Sequence, residues 1–434
     1  MANSYLSRTI SSAGSLTTWT FSAWVKLSEP GTSNCAIFSQ GSSGNNVTSI
    51  FFNHSNGAHR LEWRQYENSY TARKTTNRAF SDKSGWYHIV CQWDSTNGTA
   101  GDRMKIYVNG ERETSFENST DPSSSLSSII NSTTGTMHIG TYWNTSSNLF
   151  NGYMSHVTFV NNAIVAPTSF GQTDSTSGIW KFKSPSGITF GTNGFHLKME
   201  NSGAMGTDSS GNTNTFTVNG NLKQALDTPS NVSVTMNPLD YWYRNPVLSM
   251  GNTKIVDTTG WSGARGTFGF STGKWYWEIK LTGSMDNHIH GVQLVDVNTR
   301  TQDPQQITGT TVFYNHDGGE MRTDGTQTTA DYGTFSSGDI MGVAVDMTAG
   351  SYGQMTIYKN GVALVSNFNL SSSSTTVMPF STVGNCTTEY NFGNGYFGTT
   401  AITSAGSNGN GSLFEYDVPS GYYALNTKNI NTYG

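Results

Sequence analysis

The chain has 434 residues and a formal net charge of −5, with 12% charged and 12% aromatic residues. It has no run of Lys and Arg, which excludes the basic surface that nucleic acid requires, and its 11 Trp, 20 Tyr and 22 Phe are too much apolar mass for a disordered chain. The length exceeds the size at which one hydrophobic core keeps growing, so two domains are expected.

The N-terminal segment and the cysteines give expectations about the compartment. Residues 1–21 lack a basic stretch followed by an apolar one, and no apolar run approaches membrane-spanning length. We therefore expect a soluble protein made without a signal peptide and without membrane insertion. The three cysteines, Cys35, Cys91 and Cys386, are odd in number and widely spaced, which favours buried free thiols over a disulfide framework.

Several segments alternate between apolar and polar residues, which is the period of a half-buried strand. The alternation is visible in residues 19–27, 86–93 and 104–108, and it is clearest in residues 274–281. There it predicts an inward row made of Trp275, Trp277, Ile279 and Leu281. The outward row would be Lys274, Tyr276, Glu278 and Lys280. No stretch shows helical periodicity, so helix is expected to be a small minority.

Two Asn-Gly pairs, Asn109-Gly110 and Asn360-Gly361, follow strand-like segments and predict β-hairpins with type I′ turns. An aromatic strand precedes each of them, beginning at Gly85 in one half and at Gly273 in the other. The two halves are therefore interpreted as variations on one architecture.

Together these elements predict an all-β protein of two antiparallel β-sandwiches in series. We assign residues 1–166 to the first domain and residues 233–434 to the second. Residues 167–232 are rich in Gly, Ser and Asn and are interpreted as a connector that contributes a strand or two to its neighbours. Within the second domain, residues 297–335 are interpreted as a polar insertion.

Longer segments resemble known families. Residues 86–116, with the Asn109-Gly110 hairpin, and residues 138–164 resemble a laminin-G-like, concanavalin-A-type sandwich. The blocks STGKWYWEIKL, GDIMGVAVDM, MTIYKNGVAL and MPFSTVGN, with YNFGNGYF, resemble a SPRY domain. Both resemblances imply sandwiches of the jelly-roll type.

Residues 195–220 and 414–430 resemble segments of structural proteins from marine bacteriophages, which pair these two modules. That resemblance implies a virion protein, such as a fibre, spike or capsid decoration subunit, made in the host bacterial cytoplasm. Its partners would be other virion proteins and further copies of itself, with a trimer as one arrangement.

The motifs of common enzymes are absent from the sequence. No Glu-x-Asp-x-x-Glu run of the laminarinase type is present, and neither is a G-x-S-x-G elbow, an H-E-x-x-H motif or a P-loop. His88 lies among aromatic residues on a predicted strand, where a structural role is favoured. We therefore expect a protein that is not an enzyme, with a polysaccharide hydrolase as the weaker alternative.

One loop has the residues of a weak calcium site. Asp94, Asn97 and Asp102 lie within DSTNGTAGD and offer oxygen ligands, which hard cations prefer. The same residue types also form ordinary turns, and the spacing is not that of an EF-hand. No cofactor is expected, with calcium as the one open possibility.

Aromatic residues near polar ones are the stronger functional signal, because sugar rings stack on aromatic faces while polar groups bond their hydroxyls. Two clusters fit this pattern: the first is Trp63, Tyr66 and Tyr70, and the second is Tyr314, His316 and Tyr332. The alternative is that Trp63 is a core residue and that the tyrosines are surface or interface residues. The leading hypothesis is a phage virion protein that adheres to host-surface glycan, and the alternative is a free lectin-like protein.

Overall fold

The computed structural model describes residues 3–28, 31–258, 260–285, 288–298, 301–302, 306–316, 318–372 and 375–434. Two compact units divide the chain, and the boundary lies between Gln224 and Ala225. Strands dominate both units. Within the described part of the chain, no helix has the length and apolar character needed to span a bilayer.

The first unit consists of strands and two short 3-10 turns, at Ala100–Asp102 and Pro167–Ser169. Its strands are β1 (Tyr5–Thr9), β2 (Thr18–Leu27), β3 (Cys35–Ser43), β4 (Asn46–Ser55), β5 (Ala58–Glu67), β6 (Tyr70–Ala79), β7 (Tyr87–Asp94), β8 (Met104–Val108), β9 (Glu111–Arg112), β10 (Phe116–Thr120), β11 (Thr136–Ile139), β12 (Gly152–Asn161), β13 (Gly171–Thr173), β14 (Trp180–Phe182), β15 (Phe195–Leu197) and β16 (Thr217–Asn219).

These strands form an antiparallel sandwich. One sheet has eight strands in the order β10-β6-β5-β4-β3-β11-β1-β16, the other has six in the order β15-β12-β2-β7-β8-β9, and β13 and β14 form a separate hairpin. The inner faces meet in an aromatic core, where Phe21 of the six-stranded sheet stacks on Phe38 of the eight-stranded sheet at 4.7 Å between ring centroids. Burial of such rings is the main favourable term in folding.

The second unit ends in a short helix, α1 (Thr427–Tyr433). Its strands are β17 (Met236–Trp242), β18 (Val247–Ser249), β19 (Lys254–Val256), β20 (Trp261–Gly266), β21 (Lys274–Gly283), β22 (His288–Leu294), β23 (Thr310–Asn315), β24 (Glu320–Thr323), β25 (Thr326–Gln327), β26 (Ile340–Asp346), β27 (Gln354–Lys359), β28 (Val362–Asn369), β29 (Val377–Gly384), β30 (Cys386–Asn391), β31 (Tyr396–Phe397), β32 (Thr400–Ala401) and β33 (Tyr423–Ala424).

This unit is also a sandwich. A seven-stranded sheet has the order β17-β20-β29-β22-β23-β24-β25, and an eight-stranded sheet has the order β18-β19-β30-β21-β26-β27-β28, with β33 added parallel to β21. Trp275 and Trp277 of one sheet share a core with Phe313 and Met321 of the other. The all-β fold and the two sandwiches in series are therefore confirmed, and the three cysteines are buried free thiols, as predicted.

Both Asn-Gly hairpins form as predicted, with positive φ at both central residues. The asparagines make the same contact in the two units: Asn109 Oδ1 accepts from the backbone N–H of His88 at 2.8 Å, and Asn360 Oδ1 accepts from that of Ile340 at 2.8 Å. The structural counterpart of β7 is therefore β26, and not the strand that contains Trp275.

Two predicted segments have more structure than expected. Within residues 167–232, β15 pairs with β12 and β16 pairs with β1, so most of the connector belongs to the first unit. Treating residues 297–335 as an insertion is wrong, because β23 pairs with β22 and β24 inside the seven-stranded sheet. Residues 299–300, 303–305 and 317 of that stretch lie outside the described residues.

The row predicted to face outward on β21 is largely buried. The inward row is confirmed, but Tyr276 and Glu278 are also buried because residues of the C-terminal segment cover this face. The Glu278 carboxylate accepts hydrogen bonds from the backbone N–H groups of Glu415 and Tyr416, at 2.8 and 2.9 Å. It also accepts from Asn391 Nδ2 at 3.2 Å and the Tyr276 hydroxyl at 3.3 Å. Burial raises the pKa of Glu278 to about 7, although these donors act in the opposite direction.

A second cover lies over the six-stranded sheet of the first unit, where the β13-β14 hairpin encloses His88. The imidazole lies between the rings of Trp24 and Trp180, at centroid distances of 4.8 and 6.0 Å. Trp180 Nε1 donates to His88 Nδ1 at 3.1 Å, so the proton on Nε2 is directed to Ser22 Oγ at 2.9 Å. Burial lowers the pKa of His88 to about 3, and these contacts give the residue a structural role.

Trp63 gives a direct measure of the first core. Trp63→Ala is expected to lower the free energy of unfolding of the first unit by about 3–5 kcal/mol, because it leaves a cavity beside Trp19 and Trp93. Urea denaturation followed by circular dichroism measures this change. The control, Tyr70→Ala, alters an exposed ring and should cost less than about 1 kcal/mol. Equal stability of the Trp63→Ala protein and the wild type would contradict the core assignment.

Glu278 gives a measure of the C-terminal cover. Glu278→Ala is expected to speed amide hydrogen exchange at Glu415 and Tyr416 by about tenfold or more, because it removes the carboxyl group that accepts from both amides. Hydrogen exchange with mass spectrometry at neutral pH measures the effect. Lys280→Ala, on the same face of the same strand, is the matched control and should leave exchange at both amides unchanged. Unaltered exchange in the Glu278→Ala protein would show that the carboxylate does not hold the cover.

Candidate functional site

The structure separates the first predicted aromatic cluster. Trp63 is 0% exposed and packs against Trp19 and Trp93, with ring centroids at 5.3 and 5.9 Å, so the prediction that it contacts glycan is wrong. Tyr66 lies on the opposite face of β5, because successive side chains of a strand point to opposite sides. Tyr66 and Tyr70 do come together, with their rings edge to face at 5.0 Å.

These two tyrosines lie on the outer face of the eight-stranded sheet, together with charged residues. On β5 the outer row continues from Tyr66 to Arg64 and Glu62, and Arg73 of β6 lies directly opposite Arg64. Tyr142, on the loop that follows β11, accepts a hydrogen bond from Arg64 Nη2 at 3.1 Å. We call this group the tyrosine-arginine face; its members are Glu62, Arg64, Tyr66, Tyr70, Arg73 and Tyr142.

Glu62 is the buried carboxylate that holds Arg73 of this face in position. Its carboxylate is 0% exposed, and Arg73 donates to both of its oxygens, from Nε at 3.2 Å and from Nη2 at 3.0 Å. Asn53 Nδ2 and Thr75 Oγ1 donate to Oε2 at 2.9 and 3.0 Å. A buried carboxylate needs such partners to be stable, and in turn it fixes the position of the arginine above it.

Aromatic rings hold the two guanidinium groups. Arg64 lies 4.7 Å from the centroid of the Phe51 ring and 5.8 Å from that of Tyr142, and Arg73 lies 4.5 Å from that of Tyr70. The loop that carries Tyr142 is attached to the sheet, since Ser39 Oγ donates to the Thr141 carbonyl at 3.0 Å. The face is therefore a set of fixed aromatic and cationic groups on a rigid sheet.

Four members of this face were not predicted: Glu62, Arg64, Arg73 and Tyr142. The signal for two of them was present in LEWRQYENSYTAR, because strict alternation groups Glu62 and Arg64 with Tyr66 and sets Trp63 apart. Arg73 required the register between β5 and β6. Tyr142 required the return of a loop about eighty residues further along the chain, for which the sequence gives no local signal.

The second predicted cluster is also only partly assembled. Tyr314 stacks on His316 at 5.2 Å between ring centroids, and Arg322 lies 5.5 Å from the Tyr314 ring. Tyr314 is only 9% exposed and belongs to a small apolar cluster on the outer face of the seven-stranded sheet. Tyr332 instead packs against the main core of the second unit. The geometry for stacking a sugar is therefore weaker here than in the first unit.

The predicted calcium loop has local contacts of its own. Asp102 forms an ion pair with Arg112 at 2.6 Å, and Asp94 Oδ1 accepts from Thr96 Oγ1 at 2.7 Å. Asn97 Oδ1 accepts from the backbone N–H of Thr99 at 2.9 Å, as in an ordinary Asx turn. Among the described residues, no group of three or more His, Cys, Asp and Glu is placed to hold a metal ion.

Family comparisons agree with the two sandwiches. Residues 2–168 match the concanavalin A-like lectin/glucanases superfamily, and residues 274–395 match the SPRY domain. The chain joins a concanavalin A-like domain to a SPRY domain. The first match ends just before β13, so the hairpin that covers His88 lies outside it. A comparison with curated proteins gave no match.

Solved structures similar to parts of the chain share little sequence with it. The SPRY domain of human HERC1 is 13% identical over 36% of this chain and 96% of that chain, with a TM-score of 0.30. The TRIM65 PSpry domain is 14% identical over 36% of this chain and 88% of that chain, with a TM-score of 0.30. A native heptameric SAP-like pentraxin from Limulus polyphemus is 18% identical over 38% of this chain and 72% of that chain, with a TM-score of 0.28. Likeness at this level identifies neither a ligand nor a partner.

Proposed function

We propose that this protein is a non-enzymatic adhesion protein that binds glycan through the tyrosine-arginine face of its concanavalin A-like domain. The observation that carries the proposal is the grouping of Tyr66, Tyr70 and Tyr142 around a buried Glu62 and two arginines. Aromatic rings of this kind stack on the apolar faces of sugars, and the guanidinium groups donate to sugar oxygens.

Accessibility and rigidity support this face over other surfaces. Tyr70 is 39% exposed, and Arg64 and Arg73 are about one-fifth exposed, so a ligand reaches all three. Their backbones belong to two paired strands inside the sheet, which fixes the spacing between the binding groups. The name of the matched superfamily includes lectins and glucanases, whose ligands are carbohydrates, and this supports a sugar ligand.

We also propose that the protein is a structural component of a bacteriophage virion, as a fibre, spike or decoration subunit that forms homo-oligomers. The resemblance of residues 195–220 and 414–430 to phage structural proteins supports this proposal. Both segments are integral to the fold, since β15 and β16 complete the first unit and residues near 415 cover the second. Glycan adhesion would then attach the particle to its host.

Glycan binding is tested with the full chain on a glycan array and on purified host polysaccharide. Tyr66→Ala and Tyr70→Ala are each expected to weaken binding by about three- to tenfold, because each removes a stacking surface. Tyr352→Ala removes a tyrosine of the SPRY domain that is 46% exposed, and it should leave binding unchanged. Binding that resists both first-unit substitutions would remove this face as the site, and reducing-sugar release from laminarin would contradict the non-enzymatic assignment.

The virion assignment is tested separately. Peptides of this chain are expected in purified phage particles analysed by mass spectrometry, at a copy number that is a multiple of the subunit number of the oligomer. Antibody labelling in electron microscopy should place the protein on the particle surface. Finding the protein only in the lysate supernatant would favour a free lectin-like protein, with the glycan site unaffected.

A further inference from the structure

The tyrosine-arginine face contains two arginines, Arg64 and Arg73, but only one carboxylate, that of Glu62. Arg73 occupies both oxygens of Glu62 as a bidentate partner, and Asn53 and Thr75 fill the remaining positions on Oε2. Arg64 reaches Glu62 only through Nη1 at 3.4 Å, which is long for a charged hydrogen bond. One carboxylate therefore pairs with two guanidinium groups, and its hydrogen bonds to Arg73 are shorter and more numerous than its contact with Arg64.

Arg64 also has donor capacity that this face does not use. Its Nε is shielded from solvent, and among the described residues no atom accepts a hydrogen bond from it. Its Nη2 donates to the Tyr142 hydroxyl, which is a neutral acceptor. Nε and Nη2 form one edge of the guanidinium group, and such an edge matches the two oxygens of a carboxylate.

The position of Arg64 is fixed before a ligand arrives. The guanidinium group of Arg64 lies close to the rings of Phe51 and Tyr142, while 22% of the side chain remains exposed. Arg64 lies on β5, between β4 and β6 in the middle of the sheet. Its charge is thus partly desolvated, held in place and still reachable, which is the condition under which an added anion is bound strongly.

We propose that the glycan bound here is acidic, and that a carboxylate of a uronic-acid-type sugar pairs with the Nε and Nη2 edge of Arg64. This rests on the proposed function and names its ligand class. Because Nε is shielded from solvent, the Tyr142 side chain has to swing away from Nη2 before the carboxylate can reach this edge. The carboxylate then supplies the acceptor that Nε lacks and balances the second positive charge. A neutral sugar offers Arg64 hydroxyl acceptors but no balancing negative charge, so it is bound less well.

A planar carboxylate fits the face better than a sulfate ester does. The edge of Arg64 presents two coplanar donors beside the Phe51 and Tyr142 rings. Two carboxylate oxygens satisfy both donors at once, whereas a sulfate ester has a third terminal oxygen for which this edge offers no donor. Sulfated glycan is therefore a useful third arm of the test.

The test measures the affinity of the full chain for three probes by calorimetry. They are oligogalacturonate, the same oligosaccharide after reduction of its carboxyl groups to alcohols, and dextran sulfate. An array of other uronic acid glycans, each paired with its carboxyl-reduced form, extends the comparison. The acidic form is expected to bind at least tenfold more tightly than its reduced partner, and dextran sulfate to bind more weakly than the uronate.

Variants assign the preference to one side chain. Arg64→Gln should abolish the difference between acidic and reduced forms, and Arg64→Lys should keep part of it, because a point charge remains without the two-donor edge. Arg322→Gln, an arginine of the SPRY domain that pairs with Glu320, is the matched control and should keep the full preference. Circular dichroism and thermal melting confirm that each variant is folded.

The outcomes separate the two proposals. Equal binding of acidic and reduced forms, or a preference that survives Arg64→Gln, overturns the acidic ligand while glycan binding stands. Tighter binding of dextran sulfate than of the uronate overturns the carboxylate assignment. Absence of binding to every glycan on the array overturns the proposed function and the acidic ligand together.

Discussion

Strand alternation places polar side chains on the outer face of each sheet, and in this protein several of those side chains are fully buried. Glu62, His88 and Glu278 each lie on the polar side of a strand and are inaccessible to solvent. A buried polar or charged group is tolerated only when its hydrogen-bonding capacity is met. The covering segments of both domains are arranged to meet that requirement.

The hydrogen-bond partners of these three buried groups come from different parts of the chain. His88 receives its partner from the hairpin that follows the concanavalin A-like domain, and Glu278 from backbone amides of the C-terminal segment. Glu62 is satisfied within its own sheet, by Arg73 and two neighbouring side chains. Only in the last case is the buried carboxylate covered by side chains that are themselves partly exposed. Its face therefore remains open to a ligand, whereas the other two faces are closed by the chain itself.

The sequence was sufficient where one face of a strand meets the core and the turn chemistry is local. The row from Trp275 to Leu281 and the Asn109-Gly110 and Asn360-Gly361 turns needed only period-2 alternation and residues that adopt positive φ. The sequence pattern did not predict β23, because all six residues of this strand are buried and both of its faces are covered. A strand without an exposed face has no alternation to detect, so TTVFYN cannot be distinguished by pattern from the polar segments around it.

The candidate site depended on contacts that local patterns do not contain. Alternation alone places Trp63 and Tyr66 on opposite faces of β5, so the grouping of Trp63 with the two tyrosines could have been avoided. The burial of Tyr276 and Glu278 could not have been predicted, since Glu415 approaches Glu278 from 137 residues away. Pairing of Arg73 with Glu62 likewise depended on the register of β6, which shifts at two irregularities along β5.

Glu62 is the physical basis of the charge discrimination that we propose for the open face. Its carboxylate is shielded from solvent, so the protein must neutralise it internally, and Arg73 does so with both donors of one edge. Arg64 is then a second cation, which shares the same carboxylate only at 3.4 Å and donates to the neutral Tyr142 phenol. A ligand that covers Arg64 has to supply both acceptors and negative charge, and an acidic group does this whereas a hydroxyl does so only in part. In the proposed site, selectivity arises as much from the poor fit of neutral sugars as from attraction of acidic ones, because two arginines share one carboxylate before either ligand binds.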